Sequence, residues 1–474
     1  YSLDNMAKHF LKDKKDDVSF RDMSDAFLGY GKSPELNELY YKVVRYGIQD
    51  SLLTIKLFEK LQMFMGMSMQ AHVNSINIDM LLTEGSSVAV KSMIYRKCKE
   101  ERIVFQPHGS EKKSKYQGAF VLDPKSGVYE RVYTLDLDSL YPNIIRSYNI
   151  CFTTIIRDTF KIPVNDRNKA YRIPVGQNIY EFMSDRQGIL PKLCEYLIEK
   201  RTEVRKRKTD SEIIARVNDA LQLALKISAN SIYGFLGIAG NPFSFIEGAS
   251  SVTAMGRRII QRIKERIEDK FHHEVIYGDT DSVMCRTGLS TEKEAYHIAL
   301  KVRDDLNHWL KTEVGKNLGL KLEKVGTIFL LQKKKYIYHY WDFYKEKFEV
   351  DENGNNIYHV TGAESVRRDK CPYQGRVFDY ICDLVIKGKT KDEIFQEICQ
   401  CIIDFISRYH RPDKRPLALD DLLINYSISD SYEESSNYML KILIQKLKDE
   451  NYQIQSGDRI NTVLCKLPKE DKKT

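Results

Sequence analysis

Apolar positions along this chain follow two periods, and the changes from one to the other mark its divisions. Up to residue 60 they fall three or four apart, as in Leu36, Leu39, Tyr40 and Val43, then Leu52, Leu53, Ile55 and Leu57. That spacing predicts helices. Residues 61–105 start Met-rich, and Met63, Met65, Met67 and Met69 read as adaptable core filler. A polar loop over 106–118 carries Lys112, Lys113 and Lys115 and ends in Tyr116-Gln117-Gly118-Ala119. From Arg131 to Leu137 strong strand formers take over. Helical spacing returns after Gly188-Ile189-Leu190-Pro191, which opens a helix to about Lys208. Thr209-Asp210-Ser211-Glu212 fits a capping box for a second helix, and so short a turn predicts an antiparallel helical hairpin. Val252, Met255, Ile259, Ile260 and Ile263 predict a helix over 250–268, and 291–318 reads as another. Phe329 to Tyr340 is a β-like run holding Lys333, Lys334 and Lys335. From 376 onward helical spacing dominates, as in Ile394, Ile398, Ile402 and Phe405, and a charged tail from Leu467 is expected to be disordered.

Three stretches in this pattern carry chemistry. Tyr277-Gly278-Asp279-Thr280-Asp281-Ser282 sits between two short apolar runs and predicts a β-hairpin with a tight Gly-Asp turn. Its two acids can lean to one side and share a cation; without one they repel. In the second, the 131–137 strand leads into Asp136-Leu137-Asp138-Ser139-Leu140-Tyr141-Pro142. A carboxylate at a strand end suits a metal, and a helix start beyond it, with Pro142 in its first turn, suits phosphate oxygens. The third is a pair of cationic faces on the helical hairpin. Arg201, Arg205 and Lys208 recur at i, i+4, i+7 on one helix, and Lys226, Asn230 and Tyr233 do so on the other.

Composition narrows the picture. The 474 residues allow about three domains. A net charge of +8 fits a polyanionic partner without requiring one. Nine scattered cysteines with no Cys-x-x-Cys pair argue against zinc and for free thiols in a reducing compartment. No stretch reaches the length of a membrane span, so no membrane partner is expected. The chain lacks an initiator Met, which suggests a fragment of a longer protein.

Taken in order, Asp-x-x-Ser-Leu-Tyr-Pro at 136–142, Lys-x-x-x-Asn-Ser-x-Tyr-Gly at 226–234 and Tyr-Gly-Asp-Thr-Asp-Ser at 277–282 resemble motifs A, B and C of family B DNA polymerases. The resemblance runs from Tyr46 to about Asp458. It implies an α+β right-hand fold with an antiparallel-sheet palm, helical-hairpin fingers and a mostly helical thumb. The divisions it suggests are a C-terminal exonuclease remnant over 1–60, palm over 61–160, fingers over 161–236, palm again over 237–368 and thumb over 369–474. Tyr46 and Asp50 resemble the last motif of a 3′–5′ exonuclease. The single Asp-x-Glu, at Asp210, lies in the wrong order to complete that site, which disfavours a nuclease.

The resemblance also implies roles. Asp136 and Asp281, with the Leu137 carbonyl, would hold two Mg²⁺ ions, and Asp279 would play a supporting electrostatic part. Ser139 and Leu140 would offer amides to the triphosphate, and Tyr141 would bar a ribose 2′-hydroxyl. Arg201, Arg205 and Lys226 would bind phosphates, and Asn230 would position the incoming nucleotide. Tyr233 and Gly234 would pack at the nascent base pair. Tyr116 and Gly118, Lys333, Lys334, Lys335 and Tyr336, and Arg367 and Arg368 would contact DNA, while Glu323 matches a palm carboxylate. The partners implied are primer–template DNA, deoxynucleoside triphosphates and a processivity factor. The expected place is a nuclear or cytoplasmic site of DNA replication. The absence of a zinc-ligand tail leans the source toward a large DNA virus. The contrasting reading is an inactive polymerase-like scaffold of a replisome.

Overall fold

The computed structural model describes residues 3–14, 18, 20–104, 116–156, 170–238, 240–352, 354–367, 369–410, 418–428, 438–449, 455, 457 and 459–463. Arg368, Lys112, Lys113, Lys115, Asp458 and the tail from Leu467 lie outside the described residues. The chain divides into two units, Tyr1–Gly118 with Ser139–Met255 and Ala119–Asp138 with Gly256–Thr474.

The first unit is mainly helical. Pro34–Lys60 starts where Ser33 accepts a hydrogen bond from the Leu36 amide and Pro34 takes the first position, which needs no donor. Helices Met63–Asn74 and Ser86–Glu100 pack on a helical hairpin made of α1, Ile189–Lys206, and α2, Glu212–Leu236. Met65, Met67 and Met69 are only half-buried and Met63 is exposed, so the Met-rich helix covers the hairpin rather than filling a core. A buried hydrogen bond of 3.0 Å from the Ser228 hydroxyl to Asn74 Oδ1 fixes how that helix meets α2. The expected capping box does not form. Ser211 caps α2 by accepting from the Ile214 amide, and Thr209 instead accepts from the Ser211 amide. A small antiparallel sheet joins Ile155–Ile156 to Asn178–Met183 and that strand to Ala170–Val175.

The second unit is built on an antiparallel sheet. Its strands are β1 Gly127–Leu137, β2 Glu274–Asp279, β3 Ser282–Arg286, β4 Leu320–Gln332, β5 Lys335–Asp342 and β6 Tyr358–Thr361. They lie in the order β6-β5-β4-β1-β3-β2, and Lys347–Phe348 pairs with β5. Val132, Ile276, Tyr277, Met284, Ile328, Leu330 and Tyr338 form one buried cluster in this sheet. Helix α3, Glu292–Trp309, packs on β1 and β4, and its start is a full capping box between Thr291 and Glu294. The β-like run at Lys333–Lys335 is a hairpin rather than one strand: Gln332 pairs with Lys335, and Lys334 turns the chain at φ 60°. Toward the C-terminus come helices Pro372–Ile386, Lys391–His410 and Tyr438–Asp449, with a two-stranded sheet of Ile424–Ser427 and Arg459–Thr462. Among the described residues no helix is long and apolar enough to cross a membrane, and eight cysteines are free thiols.

Two buried imidazoles give the sheet a pH dependence. Nδ1 of His273 lies 2.9 Å from the Tyr133 hydroxyl, and burial, then His272, holds the His273 pKa below its ordinary 6.5. Burial lowers His339 likewise. Both are neutral in the fold where the unfolded chain would already protonate, so their stabilisation is complete above 6.5 and is lost as pH falls through the depressed values. Urea midpoints at pH 7.5 and 5.5 should therefore differ less in His273→Gln than in the parent chain. An equal difference would remove His273 from this account.

Candidate active site

The central carboxylates come from a strand and a neighbouring hairpin turn of the second unit. Asp136 is the last residue but one of β1, and its cross-strand partner on β3 is Ser282, the residue after Asp281. The Leu137 amide donates to the Asp281 carbonyl at 2.8 Å, which ties the end of β1 to the hairpin. The hairpin turn is Thr280–Asp281, with Thr280 at φ 59°, not the Gly278–Asp279 step expected from the sequence. Gly278 instead lies in β2 because a Cβ there would stand 2.7 Å from the Ser282 carbonyl oxygen and 2.8 Å from Leu122 Cδ1. So the glycine permits a close approach, and the turn lies two residues further on.

The electrostatics single out Asp281. Burial, then the Asp136 charge, pushes its pKa up to about 6, and Asp279 adds to the rise. A cation already stands beside the pair. Lys321, the cross-strand partner of Asp136 on β4, places Nζ 3.0 Å from Asp136 Oδ1 and 3.8 Å from Asp138 Oδ1. Asp279 is engaged separately: the Thr280 hydroxyl donates to its Oδ1 at 3.0 Å, and Lys334 Nζ is 3.4 Å away. Glu323 has Lys324 Nζ at 3.7 Å. Sequence reading missed Lys321. Its signal was its place two residues before Glu323, on the same face of an alternating strand.

These donors fit a hard divalent ion. Asp281 holds its proton more tightly for its burial and for the Asp136 charge beside it, so the site favours added positive charge, and Asp136 already draws an ammonium. With the Leu137 carbonyl that the sequence resemblance adds, the two carboxylates would form an all-oxygen set of the kind Mg²⁺ takes while keeping several waters. Among the described residues no three His, Cys, Asp or Glu side chains converge as a metal group, so the site offers two carboxylate side chains and a backbone oxygen.

The hairpin turn at Lys333–Lys334 belongs to the same unit. Lys333 pairs with Asp123 at 2.6 Å, and the Lys334 amide donates to the Tyr277 hydroxyl at 2.8 Å. Tyr277 and Tyr336 rings lie 6.1 Å apart. Arg367 makes a two-pronged bond to Asp369, at 2.9 and 2.7 Å. The expected DNA-contacting cations Lys333, Lys334 and Arg367 are thus held by carboxylates of the chain itself, pairs that a phosphate backbone could replace.

Within the first unit, Ser139 sits at φ 44° ahead of helix Leu140–Ser147, and the Asn143 amide donates to its carbonyl at 3.0 Å. Leu140 is buried. The Tyr141 and Tyr233 rings are 4.3 Å apart, and the Tyr116 hydroxyl lies 3.4 Å from that of Tyr233, so three expected site residues form one aromatic group. Gly118 is exposed. On α2, Lys226, Asn230 and Gly234 are all exposed. A Cβ on Gly234 would meet nothing within 4 Å. Gly234 lies in the last turn of α2, and the chain's own packing gives no reason for a glycine there. Arg201 Nε donates to Gln222 Oε1 at 3.4 Å. Arg205 is exposed and lines an open cleft of about 430 Å³ with Arg207, Lys208 and Asp219. Lys208 lies past the end of α1, which stops at Lys206, so it is not on the helical face expected for it.

The second unit thus holds an antiparallel sheet with neighbouring carboxylates near a strand end and in a hairpin turn, and the first unit holds a cationic helical hairpin. Residues 76–474 match the family model described as DNA polymerase family B, and the chain belongs to that family. It is 30% identical over 486 residues to the DNA polymerase delta catalytic subunit of Glycine max, covering 99% of this chain and 42% of that protein. It is 35% identical over 392 residues to the protein of the same name from Oryza sativa subsp. japonica, covering 78% of this chain and 33% of that one. The chain therefore spans less than half the length of these relatives. A solved family B DNA polymerase from the archaeon Pyrobaculum calidifontis has the same fold, with a TM-score of 0.66, 24% identity and coverage of 99% of this chain and 56% of that one. These relatives are cellular, and the viral leaning rests on the sequence alone.

Proposed function

We propose that this chain is the polymerising part of a template-directed DNA polymerase, adding deoxynucleotides to a primer 3′-hydroxyl and releasing pyrophosphate. The observation that carries the reading is the meeting of Asp136, near the end of β1, with Asp281 in the turn of the adjoining hairpin, where the Asp136 charge helps hold the Asp281 proton. Two Mg²⁺ ions held by Asp136, Asp281 and the Leu137 carbonyl would supply activation of the primer hydroxyl and stabilisation of the leaving pyrophosphate. Asp279, held by Thr280 and Lys334, keeps the turn and its charge in place beside Asp281. Lys226 and Arg201, with Arg205, neutralise the triphosphate as charge builds on it. The amides of Ser139 and Leu140 bind its oxygens, and Asn230 orients the nucleotide. Gly234, with no side chain to clash, leaves room for the template strand.

In this reading residues 61–160 and 237–368 are palm, 161–236 fingers and 369–474 thumb, with 1–60 the end of an exonuclease domain. Lys333, Lys334, Lys335, Tyr336, Arg367 and Arg368 grip the duplex through phosphates, which gives affinity without sequence choice. The proposed role is replicative, with a processivity factor as partner, at a nuclear or cytoplasmic replication site. The test is extension of a labelled primer by the purified chain with Mg²⁺ and with chelator. Metal-dependent, template-directed extension supports the reading; duplex binding without extension at any metal concentration supports the scaffold instead.

Tyr141, whose ring lies tilted against that of Tyr233, is the proposed barrier to a ribose hydroxyl. Tyr141→Ala should lower discrimination against ribonucleotides, measured as a ratio of kcat/KM values, by about tenfold or more. An unchanged ratio would remove that assignment.

A further inference from the structure

We propose that Lys321 is a resident counter-ion of the carboxylate pair, an ammonium that occupies Asp136 in the metal-free chain and has to give way when a divalent ion loads. This rests on the polymerase reading above and adds a residue that sets how readily the site accepts metal.

The position of Lys321 is set by the sheet. β1 and β4 shift register between Thr134 and Leu135, and beyond that shift Asp136 faces Lys321 directly across the strands. Its neighbour Leu320 is buried at 4% exposure, and strand alternation sends the Lys321 side chain to the opposite face, where Asp136 lies. Its ammonium is 3.0 Å from Asp136 and 3.8 Å from Asp138.

The pair is built to open. The lysine side chain is 52% exposed while that of Asp136 is 20% exposed, so the cation can swing into water without unpacking anything and the carboxylate stays. Half-exposed pairs of this kind are weak. A divalent ion at the Asp136 oxygen would feel a neighbouring positive charge as long as Lys321 stayed, and Coulomb repulsion between them falls only slowly over a few ångströms in a partly buried site. Lys321 therefore neutralises the acids when the site holds no ion, and weakens the binding of one.

The test is Mn²⁺ binding to the full chain, without DNA or nucleotide, followed by calorimetry and by the loss of the free-ion electron-spin signal. Lys321→Met, which keeps the stem and drops the charge, should bind Mn²⁺ about tenfold more tightly than the parent chain. Lys321→Arg, which keeps the charge, should bind as the parent does. Lys321→Gln is a second neutral variant, and thermal melts show that each is folded. Equal or weaker binding by both neutral variants, with parent binding still abolished in Asp281→Asn, would overturn the role of Lys321 alone. Parent binding that Asp281→Asn leaves untouched would overturn the carboxylate site itself and this inference with it.

Discussion

Asp281→Asn should lower the rate of primer extension by about three to four orders of magnitude, with duplex affinity changed by no more than about twofold. The substitution keeps the shape and removes the charge. Asp281 stands in the turn after β2, while Lys333, Lys334 and Arg367 pair with Asp123, Asp279 and Asp369, so the substitution removes no carboxylate that holds a cation assigned to DNA. A second readout has the opposite sign. Burial and the Asp136 charge push the Asp281 pKa up to about 6, from 3.8 in an unperturbed acid. The fold therefore binds this proton more tightly than the unfolded chain does, and the group's contribution to stability falls as pH rises from about 3.8 through about 6. Above that range the ionised Asp281 burdens the metal-free fold. At pH 7.5 the asparagine variant should melt at or above the parent while failing to extend a primer. Loss of stability and activity together would mean that the residue serves the fold and not the chemistry.

Gly326→Ala should destabilise the sheet unit by about 3 kcal/mol or more, which at ordinary urea slopes moves the midpoint down by at least about 1 M. Gly326 lies in β4 between β1 and β5, pairing with Val132 on one side and Tyr340 on the other. A Cβ there would sit 2.0 Å from the His339 carbonyl oxygen and 3.1 Å from Tyr338 Cε1. The first is backbone in a paired strand, and the second belongs to a buried ring whose hydroxyl donates to the Val132 carbonyl at 2.7 Å. Neither can step aside without breaking the sheet. Both tryptophans of the chain, Trp309 and Trp341, belong to this unit, so their fluorescence follows its unfolding. A midpoint within error of the parent would show that the strands can part at this point at no cost.

Much of this arrangement was legible before any coordinates. The short apolar runs on either side of Tyr277 to Ser282 marked a β-hairpin, and the strand formers over Arg131 to Leu137 marked a further strand. Acids at their ends stood out because nothing in a core wants them. The α1–α2 hairpin was legible from its period, although its cap is Ser211 and not Thr209. Both hydroxyls stand near the helix start, and only the backbone path decides which one reaches the Ile214 amide. The hairpin turn was misplaced by two residues since Gly278 reads as a turn former, whereas its role is to let β2 pass the Ser282 carbonyl and Leu122. The turn at Lys333–Lys334 was hidden within a β-like run, because a lysine at φ 60° has no sequence signature; the Tyr277 hydroxyl bond to its amide supports it instead. Pairing of Ile424–Ser427 with Arg459–Thr462 joins segments far apart in sequence, which a local pattern cannot register. Lys321 was passed over for the same reason, since its partner Asp136 is nearly two hundred residues away and only the strand register brings them together.

The most direct test of the central claim is a crystal of the chain with primer–template, a non-hydrolysable deoxynucleoside triphosphate and Mn²⁺, with the ions located by anomalous scattering. The account expects peaks within about 2.2 Å of carboxylate oxygens of both Asp136 and Asp281. Peaks at neither residue, or at Asp279 alone, would contradict it.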